Sequence, residues 1–154
     1  MANNSSIKFV HTNIVSKNWK KLAQFYIDVF NCKPLYPERN LSGEWLDKLT
    51  NIENAKIRGI HLELPGYSPA PTLEIFEYEN NNSTVINPKI NSYGLAHIAF
   101  HVDDVQKITN KVLENGGRLY GELVTKKVEG IGILTVVYTT DPEGNIIEIQ
   151  NWKK

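Results

Sequence analysis

The chain has 154 residues, of which 41% are hydrophobic and 22% are charged, so it can bury a core of its own. Lysine plus arginine and aspartate plus glutamate both total 17, and this balance argues against a nucleic-acid-binding surface. Residues 1–6 are polar, no apolar run approaches the roughly 20 residues that span a bilayer, and Cys32 is the only cysteine. We therefore expect a cytoplasmic protein without a membrane segment or a disulfide, in which Cys32 is a structural thiol.

The first half of the chain opens with a predicted strand and helix. Residues 7–15 are rich in β-branched types and predict a strand. Ser16 or Asn18 then provides an N-cap for a helix that ends before Pro34. Apolar residues at spacings of three and four predict its buried face. They are Trp19, Leu22, Phe25, Tyr26, Val29 and Phe30.

Three short strands and an insertion follow this helix. The strands are predicted around residues 33–36, 58–64 and 72–78. Between Leu41 and Ala55 we predict an insertion at the rim of the site, with a short helix capped by Ser42. The apolar residues of this helix are Trp45, Leu46 and Leu49.

Two stretches have the composition of connections. Residues 65–71 are rich in Pro, Gly and Ser and predict a hairpin loop. Residues 80–92 are polar and rich in Asn, which indicates a linker between the two halves.

The second half repeats the opening of the first. A strand-like run ends near Val102, and Asp103 or Asp104 caps a helix that Gly116 and Gly117 end. The predicted buried face of this helix consists of Val105, Ile108, Val112 and Leu113. Strands are predicted at 118–122, 135–140 and 145–151, with a rim loop at 126–133.

Each half therefore has the order βαβββ, which predicts an α+β fold. We expect one domain made of two repeats, about residues 7–79 and 93–152, with both helices on the same, convex side. In each half a strand near the end carries a glutamate between aliphatic residues, Glu74 in the first and Glu148 in the second. The distance from His11 to Glu74 is 63 residues and that from His97 to Glu148 is 51, so the first half is 12 residues longer.

One histidine and one glutamate occupy matching places in each half. Side chains two residues apart share a face of a strand, so Glu74, Glu148 and His97 interrupt runs that would otherwise be apolar. A carboxylate facing a cavity is costly to desolvate unless it is paired or coordinated. A two-fold repeat can thus assemble a four-ligand metal centre. The candidate ligands are His11, Glu74, His97 and Glu148.

Four other residues of the same types lie close by in the sequence. His61 and Glu63 share a face of the strand next to Glu74, and they either join the site or face solvent. Glu77 is three residues from Glu74 and therefore points to the opposite face of the strand. His101 has the right parity but lies about 13 Å along the strand from His97, which favours a role at the rim.

These motifs together resemble a known family. They are His11 on the first strand, Phe25-Tyr26 on the helix, Leu73-Glu74-Ile75, the segment 94–100 and the Asp-Pro-Glu-Gly-Asn turn that leads into Glu148. From about residue 7 to 152 the chain resembles the vicinal-oxygen-chelate superfamily, in its glyoxalase I-like and bleomycin-resistance-like branch. The resemblance implies paired βαβββ modules that form a curved mixed sheet around a central cavity holding a divalent metal. It also implies that the ligands are His11, Glu74, His97 and Glu148.

The chemistry of such a ligand set points to a class of reaction. Two imidazoles and two carboxylates suit Zn²⁺, Ni²⁺, Co²⁺ or Mn²⁺ with open positions. A small substrate with two neighbouring oxygens can occupy these positions, and the cation then stabilises an enediolate. Resemblance to glyoxalase I implies that Glu148 or Glu74 is the catalytic base. We therefore predict a metal-dependent lyase or isomerase that acts on a small α-oxo or α-hydroxy compound.

Two alternative functions stay open at this level. One is a binding protein of the resistance type that sequesters its ligand without turnover, using Trp45, Tyr78 and Trp152. The other is a ring-cleaving dioxygenase, which would require Fe²⁺ and oxygen. Glu74 favours the four-ligand arrangement of the lyases and isomerases over the three-ligand arrangement that the resemblance implies for dioxygenases.

We also expect a homodimer. The open edges of the predicted sheets need cover, and a symmetric dimer is a common solution for small enzymes. The linker at 80–92 is long enough for the four ligands to come from one chain or from two.

Overall fold

The computed structural model describes residues 7–82, 84 and 88–154. The polar segment 1–6 and part of the predicted linker lie outside these residues. The elements are β1 (His11–Val15), α1 (Trp19–Phe30), β2 (Lys33–Ser42), α2 (Glu44–Thr50), β3 (Lys56–Glu63), β4 (Thr72–Tyr78), β5 (Ile98–His101), α3 (Val105–Glu114), β6 (Arg118–Leu119), β7 (Val124–Val128), β8 (Gly132–Thr140) and β9 (Ile146–Lys153). In this part of the chain no helix is long and apolar enough to cross a membrane.

The chain divides into two compact units. Unit 1 comprises Met1–Ala23 and Asn31–Asn81, and unit 2 comprises Gln24–Phe30 and Asn82–Lys154. The first unit thus holds β1 to β4, and the second holds β5 to β9 together with the C-terminal half of α1. Each contains one mixed sheet, which confirms the predicted α+β class.

The sheet of unit 1 has the strand order β1-β4-β3-β2. β1 runs parallel to β4, and the other pairs are antiparallel. One face has a buried apolar centre, which is formed by Ile60, Leu62, Leu73 and Ile75. Alternation of side chains along the strands then places Glu74 and His61 on the opposite face.

Gly59 on β3 is required by close packing. A Cβ atom at this position would lie 2.1 Å from the carbonyl oxygen of Ile75 and 2.6 Å from Cδ1 of Phe76. No side chain fits there, because the backbone of β4 and the Phe76 ring already fill the space.

The insertion between Leu41 and Ala55 packs on the face that carries Glu74. Leu46 of α2 is buried against Phe76 and Ile57, with Tyr78 at the edge of this cluster. The prediction of a short helix here is confirmed, but the predicted cap is wrong. The N-cap residue is Gly43, and no side chain caps the helix.

The sheet of unit 2 has the strand order β5-β9-β8-β6, with β7 paired to the other part of β8. Helix α3 packs against β8 and β9 through the face that contains Val105, Thr109 and Val112. Asp104 is its N-cap, and its carboxylate accepts a hydrogen bond from the Lys107 backbone N–H at 2.9 Å.

The C-terminal half of α1 belongs to unit 2 through specific contacts. The Tyr26 hydroxyl donates a hydrogen bond of 2.9 Å to the Asp141 carboxylate, and the Phe30 ring stacks on Phe100 with centroids 4.1 Å apart. Asp141 opens the Asp-Pro-Glu-Gly-Asn turn, and its carboxylate also accepts hydrogen bonds from the backbone N–H groups of Glu143 and Asn145. The turn motif is therefore built around a buried carboxylate.

Several predicted elements differ in length from the structure. β1 begins at His11 rather than residue 7, and β2 extends to Ser42 rather than residue 36. The predicted rim loop at 126–133 is wrong, because β7 continues to Val128 and β8 begins at Gly132. Polar residues occupy the middle of this edge strand, and its two consecutive lysines, Lys126 and Lys127, are both exposed, so its composition resembles that of a loop.

The helix predictions are largely confirmed. All six apolar residues predicted on one face of α1 are buried. The Asn18 carboxamide accepts a hydrogen bond from the Lys21 backbone N–H at 3.1 Å, which makes Asn18 the N-cap. On α3, however, Leu113 is 44% exposed and Thr109 is buried in its place, its hydroxyl donating to the carbonyl oxygen of Val105.

Cys32 is buried, as expected of a structural thiol, and only 2% of it is exposed. Burial raises the pKa of its thiol to about 12. The thiolate is therefore strongly disfavoured, and Cys32 is unsuited to nucleophilic chemistry.

Candidate functional site

The register of unit 1 gathers polar side chains around Glu74. On β4, Glu74 lies opposite Asn13 of β1 and opposite His61 of β3. His11 precedes Asn13 by two residues and therefore shares its face of the sheet. Three neighbouring strands thus direct four polar side chains to one place.

The distances show that Glu74 is the centre of this group. Nε2 of His11 lies 3.3 Å from Oε2 of Glu74, and Nε2 of His61 lies 3.1 Å from Oε1. The Asn13 carboxamide donates a hydrogen bond of 3.1 Å to Oε2. Glu74 is 8% exposed, so its carboxylate is held from both sides in a nearly buried position.

His61 joins the site, which the sequence left open. Desolvation by burial lowers the pKa of its imidazole, and the interactions with Arg39 and His11 act in the same direction, whereas the Glu74 carboxylate opposes them. The net result favours the neutral ring. A neutral His61 can donate one hydrogen bond to Glu74 without adding a charge to the site.

The register of unit 2 repeats this arrangement. On β9, Glu148 lies opposite Ala99 of β5 and opposite Tyr138 of β8. His97 precedes Ala99 by two residues, as His11 precedes Asn13. Nε2 of His97 lies 3.1 Å from Oε2 of Glu148.

Tyr138 completes the group in unit 2. Its ring packs edge-on against His97 with centroids 5.1 Å apart, and its hydroxyl hydrogen-bonds to Glu148. Desolvation, followed by the charge of Glu148 and this hydrogen bond, raises the pKa of the phenol. Tyr138 therefore stays protonated and acts as a donor.

His97 has an unsatisfied atom. Its Nδ1 is buried and has no hydrogen-bond partner among the described residues. Such groups are rare in protein interiors and concentrate where a site has a function.

The two groups correspond position by position. His11 matches His97, Glu74 matches Glu148, His61 matches Tyr138, and Asn13 matches Ala99. The histidine and the glutamate are the same in both units, while the other two positions differ. We call each group of four a half-site.

The donor atoms suit a divalent metal. Ligand atoms that share a metal at about 2.1 Å lie about 3.0–3.4 Å apart, and the His11–Glu74 and His97–Glu148 distances fall in this range. Within the residues that the structure describes, no group of three or more His, Cys, Asp or Glu side chains is arranged to hold a metal ion. In unit 1 each oxygen of Glu74 faces a different imidazole, so one half-site offers a pair of adjacent ligands and not a complete set.

The remaining residues considered from the sequence have other surroundings. Glu77 accepts a hydrogen bond of 3.3 Å from the Trp19 backbone N–H and so caps the start of α1, in agreement with its different parity. His101 is exposed and lies opposite Gln150, which is two residues beyond Glu148 on β9. Trp45 is 55% exposed and Trp152 is 38% exposed.

Solved structures share this fold. A glyoxalase family protein from Bacillus cereus superposes with a TM-score of 0.83 at 18% identity, covering 100% of this chain and 99% of that chain. A glyoxalase/bleomycin resistance protein/dioxygenase domain from Frankia sp. has a TM-score of 0.59 at 13% identity, covering 97% and 98%.

A third structure is the fosfomycin resistance protein FosX from Listeria monocytogenes, in a variant complexed with Mn(II) and 1S,2S-dihydroxypropylphosphonic acid. Its TM-score is 0.58 at 15% identity, covering 97% of this chain and 95% of that chain. No curated protein matches the sequence of this chain.

A family model agrees with these structures. The model of the glyoxalase/bleomycin resistance protein/dioxygenase superfamily matches residues 8–149, which include all eight half-site residues. The chain therefore belongs to this superfamily.

Proposed function

We propose that this protein is a metal-dependent lyase or isomerase that acts on a small molecule with two neighbouring oxygens. The observation that carries the proposal is the equivalent placement of His11–Glu74 and His97–Glu148 in the two units. Each pair presents one imidazole nitrogen beside one carboxylate oxygen. In the proposal, the two pairs together bind one divalent ion, with Zn²⁺, Ni²⁺, Co²⁺ and Mn²⁺ as the candidates.

The surroundings of the two glutamates support different roles for them. Glu74 receives Asn13 and His61 in addition to His11, and its side chain is 10% exposed. Glu148 has Tyr138 in addition to His97, and its side chain is 17% exposed. In our proposal Glu74 is the fixed ligand, and Glu148 is the base that takes a proton from the substrate carbon and returns it.

The other half-site residues act on these two carboxylates. His61 and Asn13 hold Glu74 in one orientation, as second-sphere donors do for metal ligands. Tyr138 donates to Glu148, and it can keep this contact while the carboxylate turns toward the substrate. A bound metal would supply Lewis-acid stabilisation of the negative charge that develops on the substrate oxygens.

One structural relative supports the choice of substrate class. FosX is described in complex with Mn(II) and 1S,2S-dihydroxypropylphosphonic acid, a compound with hydroxyl groups on neighbouring carbons. We propose that this chain likewise acts on vicinal oxygens. We also propose that it works in the cytoplasm as a homodimer.

Metal content tests the proposal directly. Protein purified without chelators is measured by elemental analysis, stripped, reloaded with each candidate ion and assayed on hemithioacetals, acyl-CoA epimers and catechols. We expect one metal per pair of half-sites and metal-dependent turnover without oxygen consumption. Iron-dependent oxygen uptake with catechols would instead establish a dioxygenase, and tight binding of a ligand without turnover would establish a sequestering protein.

A matched pair of variants tests the ligands. His97→Ala removes a proposed ligand, and we expect metal affinity to fall about tenfold or more. His101→Ala removes an exposed histidine four residues away and should leave metal affinity unchanged. Equal metal content in the wild type and in His97→Ala would refute the ligand assignment.

A further inference from the structure

Arg39 occupies an irregular position on β2. The pairing of β2 with β3 shifts between Leu35 and Arg39, and regular pairing resumes with Arg39 opposite Gly59. Such bulges change the direction in which a side chain points and are frequent next to active sites. The irregularity thus ends at an arginine close to the Glu74 half-site.

Arg39 faces the same side of the sheet as His61. Cross-strand partners share a face, and Gly59 lies two residues before His61 on β3. The electrostatic effect of Arg39 on His61 agrees with this placement, because the guanidinium acts to lower the pKa of the imidazole. Arg39 therefore contributes a positive charge to the face that holds Glu74.

The guanidinium has no carboxylate partner among the described residues. Arg39 is partly buried, and its Nη1 donates to the carbonyl oxygen of Pro37. Arg58, on the opposite face of the neighbouring strand, contrasts with it, because its Nη2 lies 4.0 Å from Oε1 of Glu77. A guanidinium carries five N–H donors in a planar fork that matches an oxyanion, so Arg39 keeps donors available.

We infer that Arg39 binds an oxyanion of the substrate and so determines specificity. The group it fits is a carboxylate, phosphonate or phosphate, located on the substrate beyond the two neighbouring oxygens. The inference rests on the proposed function only in that it calls the bound molecule a substrate. Oxyanion binding itself requires no metal and can be measured separately.

Inorganic phosphate and acetate serve as probes, each titrated into the metal-free full-length protein and followed by NMR of the arginine Nε–H groups and the backbone amides. We expect saturable shifts of the Arg39 Nε–H and of the Gly59 amide. Arg39→Gln should weaken binding about tenfold or more, as expected for loss of a charge-assisted hydrogen bond. Arg39→Lys should retain part of the affinity, and Arg58→Gln should bind as the wild type does.

Two results on the wild type would overturn the inference: a lack of saturable binding, and saturable binding that does not shift the Arg39 resonance. Two results on the variants would do so as well. They are equal affinity in Arg39→Gln and an equal loss in Arg58→Gln, which would indicate general attraction by net charge. The wild-type Arg39 resonance decides the matter even if a variant does not fold.

Metal content separates this inference from the proposed function. Arg39→Gln should bind metal as the wild type does, because Arg39 is not a proposed ligand. A wild type that binds phosphate at Arg39 but no metal would refute the proposed function and leave the oxyanion site standing. Metal binding without phosphate binding would refute the oxyanion site and leave the proposed function standing.

Discussion

The two half-sites have the same histidine and glutamate but different neighbours. In unit 1 the carboxylate of Glu74 is surrounded by Asn13, His61 and His11. In unit 2 the position of Asn13 is occupied by Ala99, and that of His61 by Tyr138. One repeat therefore surrounds its glutamate with three nitrogen-bearing side chains, and the other surrounds its glutamate with one histidine and one phenol.

This difference shows how a duplicated unit can divide its chemistry. A ligand that must stay in place gains from several donors that hold its orientation. A base must move between bonding partners during a reaction, so fewer contacts suit it better. The shared residues account for metal binding in our proposal, and the differing residues assign the roles.

Substitution of the two glutamates should give the largest effects and separate their roles. We expect Glu148→Gln to lower kcat about 10²- to 10⁴-fold while most of the bound metal is retained, because the variant keeps an oxygen ligand but loses the base. Glu74→Gln should mainly lower metal affinity. The NH₂ group of the new amide would face one of the side chains that now donate to the carboxylate, and it cannot accept their hydrogen bonds or bind the metal. Activity and metal content are measured on the same preparations.

The reverse pattern would contradict the assignment of roles. If Glu74→Gln kept its metal and lost turnover while Glu148→Gln lost its metal, the fixed ligand would be Glu148. Circular dichroism on each variant verifies that the fold is intact.

The loops that lead into the two glutamate strands differ as strongly as the half-sites. The loop at 65–71 carries Tyr67, which is 72% exposed. The turn before β9 is built on Asp141, which is 1% exposed and accepts hydrogen bonds from Tyr26 and from both the backbone and the side chain of Asn145. The second loop is therefore anchored in the core through Asp141, whereas the first lies at the surface.

Asp141→Ala should destabilise the protein by about 2–4 kcal/mol, because it leaves several buried donors unpaired. Tyr67→Ala in the equivalent loop is the control and should change stability by less than about 0.5 kcal/mol. Both values come from denaturant unfolding at pH 7. Equal effects of the two substitutions would show that the Asp141 network adds nothing to stability.

The same residue predicts a dependence on pH. Burial raises the pKa of Asp141 above its ordinary value of 3.8, although hydrogen bonds from Asn145, Tyr26 and Glu143 act against this. Between the ordinary pKa of the unfolded chain and the raised pKa of the folded protein, the folded state binds more protons than the unfolded chain. The contribution of Asp141 to stability therefore falls as pH rises through this window. Asp141→Ala should remove this part of the slope.

Much of the fold could be predicted from local periodicity. The apolar face of α1 and the cap at Asp104 follow from spacing alone, because a helix brings positions three and four apart together. The strand from Val124 to Val128 could not be predicted, since at a sheet edge only one partner is present and polar side chains are tolerated. Exposed lysines there give no apolar alternation.

The site could be predicted only in part for a related reason. Parity along a strand places Glu74 and His61 on faces of their own strands, but it does not give the register between strands. That His61 lies directly opposite Glu74 is a property of the β3–β4 pairing. The same holds for Tyr138 and Glu148, a pair that sequence reasoning missed. The internal repeat was the one available signal, since Tyr138 precedes Glu148 by 10 residues and His61 precedes Glu74 by 13.

Substitution of the residues beside the two glutamates should give smaller effects. His61→Ala should lower metal affinity by about tenfold, because Glu74 loses a donor that orients it. Tyr138→Phe should leave metal affinity within about twofold of the wild type and instead change the pH profile of kcat, because it removes the donor to the proposed base. Calorimetric titration with metal and pH-rate profiles measure the two effects. A larger loss of metal affinity in Tyr138→Phe than in His61→Ala would contradict the division of roles.

Mixed dimers test whether the two half-sites of one metal centre come from one chain. His11→Ala and His97→Ala subunits are each expected to be inactive, since each lacks a ligand. They are unfolded together, refolded, and separated by tags into dimers that contain one subunit of each kind.

If each centre combines unit 1 of one chain with unit 2 of the other, one of the two centres in a mixed dimer contains both unchanged half-sites. Such dimers should then recover about half of the wild-type activity and bind one metal ion. If each chain holds its own centre, every centre in the mixed dimer lacks one histidine and activity does not return. Recovery of activity would therefore place the ligands of one centre on two chains, and no recovery in verified mixed dimers would place them on one chain.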